Sequence, residues 1–325
     1  MGQESVQLGR IGVLMGGVSS ERAISLKSGK AIVEALIRQG QEVIALDIKE
    51  DDQAASETLI RESKIDLAFI ALHGGLGEDG SIQALLERMG IAYTGSGVEA
   101  SRLAYDKALA QEIFHNGGLR TPTYAVVVRG DETDIGALVG RLGSFPVVIK
   151  PACEGSSIGI GIVSDEKELR AALDEAWRYG DKVLVEKCIR GRELTVGIVE
   201  EKPLPVVEIL PKTGFFDYEA KYTAGKTEYI VPALLPQGVT GELQQKAAAA
   251  HRLLGCSDFS RVDFMMDGQN RYYILEVNTV PGFTATSLLP KAAQQAGIGF
   301  GDLCLTIARL AYGKEKKPKK ENICL

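Results

Sequence analysis

The sequence predicts a parallel α/β domain at the N-terminus followed by mixed α+β structure, and three observations carry this reading. Apolar strands and amphipathic helices alternate as β-α-β-α-β over the first ninety residues, the pattern of a parallel sheet. After about Tyr105 the alternation stops, and strands flank short Gly/Ser loops as in antiparallel hairpins. From Glu193 to Met266 strands dominate. A length of 325 residues allows two or three domains.

The elements follow in order. Arg10–Leu14 is an apolar strand ending at Gly16-Gly17, and Ser19-Ser20 lead into a helix. In that helix Ile24, Ala31, Ile32, Ala35 and Leu36 recur at helical spacing, and Gly40 closes it. Glu42–Asp47 and Asp66–Leu72 are strands, Glu57–Ser63 and Ile82–Met89 helical, and Tyr93 leads into the turn Thr94-Gly-Ser-Gly97. Lys107–His115 is a helix and Thr123–Val128 a strand; Phe145–Lys150 and Ile158–Val163 form a hairpin around Gly155-Ser-Ser157. Asp165–Arg178 is helical and Lys182–Glu186 a strand. Further helices lie near Leu243–Leu254, Ser287–Ala296 and Leu303–Tyr312, and Pro211–Lys226 is a polar, aromatic loop.

Composition narrows the function. A net charge of −6 lacks the basic footprint of a general nucleic-acid binder, and no apolar run reaches membrane-span length, so neither partner is expected. Five scattered cysteines without a CxxC pair, and three separated histidines, suggest neither a disulfide framework nor a zinc site. A reducing, cytoplasmic setting fits. The Lys-rich tail from Lys314 reads as a solvated charge run.

The segment from Arg261 to Asn278 is the most informative. Asp267-Gly268 is a strong turn signal between two β-rich runs. A turn centred on Gly268 and Gln269 sets Asp263 opposite Ile274, and alternation then puts Asp263, Ile274, Glu276 and Asn278 on one face, with Leu275 and Val277 on the buried one. Two carboxylates and an amide oxygen make a hard-oxygen site suited to Mg²⁺ bridging phosphates; the bland alternative is a solvated polar face. Lys150 ends an apolar strand directly before Glu154-Gly-Ser-Ser-Ile-Gly159, where glycine lets backbone N–H groups approach an anion and Lys150 supplies charge. No Walker-A sequence occurs. Gly75-Leu-Gly77-Glu-Asp-Gly80 matches a dinucleotide fingerprint by spacing, but Glu78-Asp79 would set negative charge against a pyrophosphate.

Together these motifs resemble the ATP-grasp superfamily and, within it, the D-alanine–D-alanine ligases. The carriers are Gly16-Gly-Val-Ser-Ser-Glu-Arg22, His73-Gly74 with Gly77-Glu-Asp-Gly80, Tyr93-Thr-Gly-Ser-Gly97 and Asp106-Lys107. Further carriers are Lys150-Pro-Ala-Cys-Glu-Gly-Ser-Ser157, Asp217-Tyr-Glu-Ala-Lys-Tyr222, Glu276-Val-Asn-Thr-Val-Pro-Gly282 and Thr286-Ser-Leu288.

The resemblance implies a three-domain ATP-grasp fold (1–104 substrate domain, 105–187 central domain, 188–325 catalytic and metal-binding domain) with ATP clamped between the last two. It implies that Lys107, Lys150 and Lys221 meet the nucleotide and that the loop Glu154, Gly155, Ser156, Ser157 covers its phosphates. Glu186, Lys187 and Ile189 would line the adenine pocket, and Glu193 would hold the ribose. Asp263, Glu276 and Asn278 would hold Mg²⁺ or Mn²⁺, as two ions. Glu21 would anchor the first D-alanine ammonium, linked by hydrogen bonds to Ser156 and to Tyr222 on a closing loop. Arg261 and the Gly282 N–H would stabilise the oxyanion, while Ser287 and Leu288 receive the second carboxylate. His73 is similar to a histidine near the first D-alanine, and is equally readable as a hydrogen-bonded core residue.

Each of the others has a bland counterpart: Glu21 as a helix N-terminal acid, Tyr222 as a loop anchor, Arg261 as a partner for carboxylates. The implied activity is ATP-dependent joining of two D-alanines through an acyl phosphate, for peptidoglycan precursors, by a homodimer; a ligase of other specificity is the alternative. Tyr105, Phe283, Ala152-Cys153 and Arg102 depart from the family pattern, with Phe283 and Cys153 expected to alter pocket shape.

Overall fold

β1 (Arg10–Gly16) is apolar along its length and buried at every position after Arg10, as a strand covered on both faces must be. It pairs in parallel with β2 (Glu42–Ile48) and β3 (Leu67–Ile70), and β3 with β4 (Ala92–Tyr93), giving the order β2-β1-β3-β4. α1 (Arg22–Arg38), α2 (Gln53–Ser63), the single turn α3 (Gly75–Glu78) and α4 (Ser81–Met89) connect them. The parallel sheet expected from the alternation is therefore present. The computed structural model describes residues 7–50, 52–212 and 225–314.

Two helices, α5 (Val98–Tyr105) and α6 (Lys107–Asn116), lead out of this sheet. The second sheet is antiparallel throughout, with order β5-β8-β6-β7: β5 (Tyr124–Val128), β6 (Val147–Pro151), β7 (Gly161–Val163) and β8 (Lys182–Lys187). The expected hairpin is β6–β7. α7 (Ile135–Leu142) and α8 (Glu166–Ala176) cover one face, burying Leu138, Leu142, Leu169 and Leu173 against Val147, Ile149 and Val185.

The third sheet, also antiparallel, runs β12-β11-β9-β13-β14 with β10 beside β9. Its strands are β9 (Gly191–Val199), β10 (Lys202–Pro203), β11 (Val207–Pro211), β12 (Thr227–Ile230), β13 (Phe259–Asp267) and β14 (Tyr272–Asn278). α9 (Val239–Leu253) packs beneath it, and α6 contributes Ala110 and Phe114 to the same core. The chain then returns: α10 (Leu288–Gln295) and α11 (Phe300–Lys314) join the core of the first sheet, where Leu303, Ile307 and Ala311 meet Ile11, Val13, Ile32 and Leu36. No described helix is long and apolar enough to cross a membrane.

The β13–β14 register corrects the sequence reading. Asp263 lies opposite Glu276, not Ile274; Phe264 pairs with Ile274, and the register shifts between these pairs. Leu275 is the extra residue of a β-bulge, which turns Ile274 into the core beside Phe264 while Glu276 stays on the Asp263 face. Leu275 accordingly leaves the buried face assigned to it, and only Val277 keeps that place. Segments outside the hairpin satisfy the bulge. The Ile274 N–H donates to the Arg120 carbonyl at 2.9 Å, and the fully buried Gln111 amide donates to the carbonyls of Ile274 (3.3 Å) and Leu275 (2.8 Å).

Candidate active site

Two adjoining cavities lie where the three sheets meet. The larger, of about 490 Å³, is walled by the entry to α1, the turn α3, the start of α6, the loop after β6, β13 and the chain beyond β14. The smaller, of about 110 Å³, lies between the second and third sheets. Glu276 lines both and forms part of the wall between them.

Glu21 immediately precedes α1, where an acid favours the helix dipole, but its side chain makes no cap hydrogen bond. Its buried carboxylate instead points into the larger cavity and accepts a short hydrogen bond from the Ser156 hydroxyl. The Gly155 backbone comes so close that a Cβ there would lie 2.6 Å from Glu21 Oε2, and at Gly74, with φ +69°, 2.9 Å from the same atom. Ser156 and Ser157 both hold left-handed backbone (φ 51° and 60°), a conformation few L-residues adopt without a compensating contact; for Ser156 that contact includes Glu21.

Arg261 on β13 grips Asp263 with two hydrogen bonds, Nε to Oδ1 at 2.9 Å and Nη2 to Oδ2 at 2.7 Å. Thr195 on β9 donates to the same Oδ1 at 2.6 Å. The guanidinium is thereby fixed as a planar fork at the cavity wall. Lys107, the first residue of α6, donates to the Glu154 carbonyl and lies 3.7 Å from Glu276.

His73, Ser287, Leu288, Gly282 and Asn278 complete the predicted residues of this cavity. The His73 imidazole is buried, and desolvation lowers its pKa; the charges of Glu21 and Arg261 pull it in opposite directions.

In the smaller cavity Lys150 and Glu186 form a buried ion pair at 2.7 Å. Burial pushes the Glu186 carboxyl up against the pull of Lys150, and its Oε1 has no hydrogen-bond partner. Ser157, Lys187, Ile189, Glu193 and Asp263 share this cavity. Apart from Glu276, which lines both, the predicted residues among those described fall into two groups, one per cavity. Lys221 and Tyr222 lie outside the described residues.

Sequence reasoning missed several wall residues. Ile24 and Lys27 follow Glu21 on one helical face, and the i, i+3 spacing carried that signal although Ile24 reads as a core position. Glu78, taken for an obstacle to a pyrophosphate, is a cavity carboxyl raised well above the carboxylate range by desolvation and by Glu21, with Lys107 opposing. Neither Phe283 nor Cys153 lines either cavity. Phe283 sits in the core, 5.8–5.9 Å from the rings of Phe69, Phe259 and Phe300. The Tyr105 hydroxyl accepts from the Gly75 N–H at 3.1 Å.

The chain is similar to proteins of one family. The family described as D-ala D-ala ligase N-terminus matches residues 49–96, and D-ala D-ala ligase C-terminus matches residues 113–309. A D-alanine–D-alanine ligase from Citrifermentans bemidjiense is 48% identical over 308 residues, covering 95% of this chain and 98% of its own. One from Geotalea uraniireducens is 50% identical over 294 residues, covering 90% and 93%. Among solved structures, a D-alanine–D-alanine ligase from Bacillus anthracis complexed with ATP superposes with a TM-score of 0.83 at 33% identity, covering 95% of this chain and 99% of that one. With two family segments matched in order and near-full-length relatives at about half identity, the chain belongs to the D-alanine–D-alanine ligase family.

Proposed function

We propose that this chain joins two D-alanine molecules at the expense of ATP, giving D-alanyl-D-alanine for peptidoglycan precursors. The observation that carries the reading is the pair of cavities sharing Glu276: one holds an acid, an arginine and hydroxyl groups, the other a buried lysine and an orphaned acceptor. Such a division suits a small zwitterion on one side and a nucleotide on the other.

In the smaller cavity the Glu186 Oε1, lacking a donor, suits an adenine amino group, and Lys150 meets phosphate oxygens. Lys187 and Ile189 flank the base and Glu193 takes the ribose hydroxyls, while Lys107 and the Glu154–Ser157 loop close over the phosphates. The first D-alanine places its ammonium on Glu21, whose orientation Ser156 fixes. Its carboxylate attacks the γ-phosphate and displaces ADP, and the second amine attacks the acyl carbon of the resulting acyl phosphate, losing a proton and expelling inorganic phosphate. Arg261, held rigid by Asp263, and the Gly282 N–H stabilise the tetrahedral oxyanion without reorganising. Ser287 and Leu288 receive the second carboxylate.

The donor set of Asp263, Glu276 and Asn278 fits a hard divalent cation such as Mg²⁺ or Mn²⁺, since two carboxylates face each other across paired strands and the amide lies two residues on. Bound there, two such ions would neutralise phosphate charge. Family resemblance further supports a cytoplasmic homodimer with domains at 1–104, 105–187 and 188–325.

The test is phosphate release from ATP with D-alanine as the sole acid; no release overturns the reading. A D-Ala:D-Ser ligase from Enterococcus faecalis superposes with a TM-score of 0.80 at 29% identity, so D-serine belongs in the same assay. D-Alanine is expected to be the better second substrate, because the relatives at about half identity are D-alanine–D-alanine ligases.

A further inference from the structure

The Gly282 N–H belongs to a segment without regular structure between β14 and α10, and an oxyanion donor works only if its direction is fixed beforehand. Two tethers flank it. The Val280 carbonyl lies 2.9 Å from His73 Nδ1, and the Phe283 N–H donates to the Ser28 hydroxyl oxygen at 3.1 Å. Ser28 Oγ in turn lies 3.0 Å from His73 Nε2. The Pro281–Gly282 peptide unit, which carries the N–H in question, is the unit held between the tethers, and the proline ring restricts its φ.

Proton accounting fixes the polarity of this chain. A carbonyl oxygen only accepts, so His73 Nδ1 bears the hydrogen. The neutral ring then presents a lone pair at Nε2, and the Ser28 hydroxyl donates to it while accepting from Phe283. Every group is satisfied, and all four residues are buried. Both ring nitrogens are consumed by the protein. The ring edge lines the cavity, but its polar atoms are turned to Ser28 and Val280.

We propose that Ser28 and His73 are positioning residues that hold the Val280–Phe283 loop from both sides and so aim the Gly282 N–H, and that His73 is not a hydrogen-bonding ligand of the substrate. The inference rests on the reading of Gly282 as oxyanion donor. Ser28 stands on α1 and His73 follows β3, so the first sheet's framework aims a donor carried by the chain beyond β14.

Two measurements test it. In the wild-type protein, ¹⁵N NMR of the imidazoles should show His73 protonated at Nδ1 and bare at Nε2; with only three histidines, the spectrum of a His73→Gln variant assigns the signal. A proton on Nε2 overturns the proposal whatever the enzyme's activity. Kinetically, Ser28→Ala should lower kcat by about 10- to 100-fold, the scale of a misaimed donor, while the KM for ATP stays within about twofold. Unchanged kcat overturns the proposal, as does an equal loss in both constants. If Ser28→Ala does not fold, Ser28→Cys carries the kinetic test with the same expected direction. A wild-type enzyme that releases no phosphate with D-alanine defeats the proposed function instead, and the NMR result still decides the tautomer.

Discussion

Gly155 passes so close to Glu21 that a single added carbon would lie 2.6 Å from the carboxylate oxygen. A side chain there must push either the loop or the acid aside. Gly155→Ala is therefore expected to reduce kcat/KM for D-alanine by about 100-fold, the cost of roughly an ångström of misplacement. Thermal stability should change little, because the loop carries no core residue. Steady-state kinetics beside a melting curve checks this; full activity would show that the approach of Gly155 to Glu21 has no consequence for turnover.

The Lys150–Glu186 pair predicts a non-additive cycle. Removing either partner leaves a buried charge uncompensated, at a cost of about 3–5 kcal/mol. Lys150→Met combined with Glu186→Leu should cost less than the two single changes summed, as urea denaturation can measure. Additive losses would mean that the two groups do not sense each other.

His251 predicts a pH dependence. It is buried against the Ser260 hydroxyl at 2.7 Å, and burial lowers its pKa from 6.5 to about 4. The unfolded chain thus binds a proton that the folded one refuses, so stability is full above pH ~6.5 and is lost as pH falls toward ~4. His251→Gln should flatten the slope in that window. Some slope should persist, because His73 is shifted the same way. An identical slope in the variant would exclude His251 as its source.

Gln111 predicts a link between packing and metal requirement. Its amide satisfies the two carbonyls of the bulge that keeps Glu276 facing Asp263. Gln111→Met should destabilise by about 1–3 kcal/mol, the cost of orphaned buried acceptors. It should also raise the Mg²⁺ concentration needed for half-maximal activity, by about tenfold or more. Magnesium titration of variant and wild type gives the comparison, and an unshifted midpoint would separate the bulge from the metal face.

The bulge also shows where sequence reasoning stops. Alternation put Glu276 and Asn278 with Asp263, which the structure keeps, but for a different reason. The partners that stabilise the bulge, Gln111 and Arg120, come from another segment, and no local pattern in the hairpin announces them. The parallel sheet was legible because its strands are short, apolar runs between amphipathic helices. By contrast α7 contains Gly136 and Gly140, which depress helix propensity, and its start is marked only by the Asp134 side chain accepting from the Ala137 N–H. Most residues lining the two cavities were legible through ordered motifs. Ser28 was not, because a buried serine in a helix carries no pattern of its own; only the imidazole beside it gives it meaning.

The return of α11 to the first sheet has a consequence for biosynthesis. Leu303, Ile307 and Ala311 cover apolar surface of β1 and α1, residues made some 270 to 300 positions earlier. A nascent chain cannot bury that surface until α11 has been made, so elements translated early are sealed late. A chain stopped before α11 leaves them exposed to chaperones and proteases, and the docking of α11 on the first sheet serves as a check that everything between has been made.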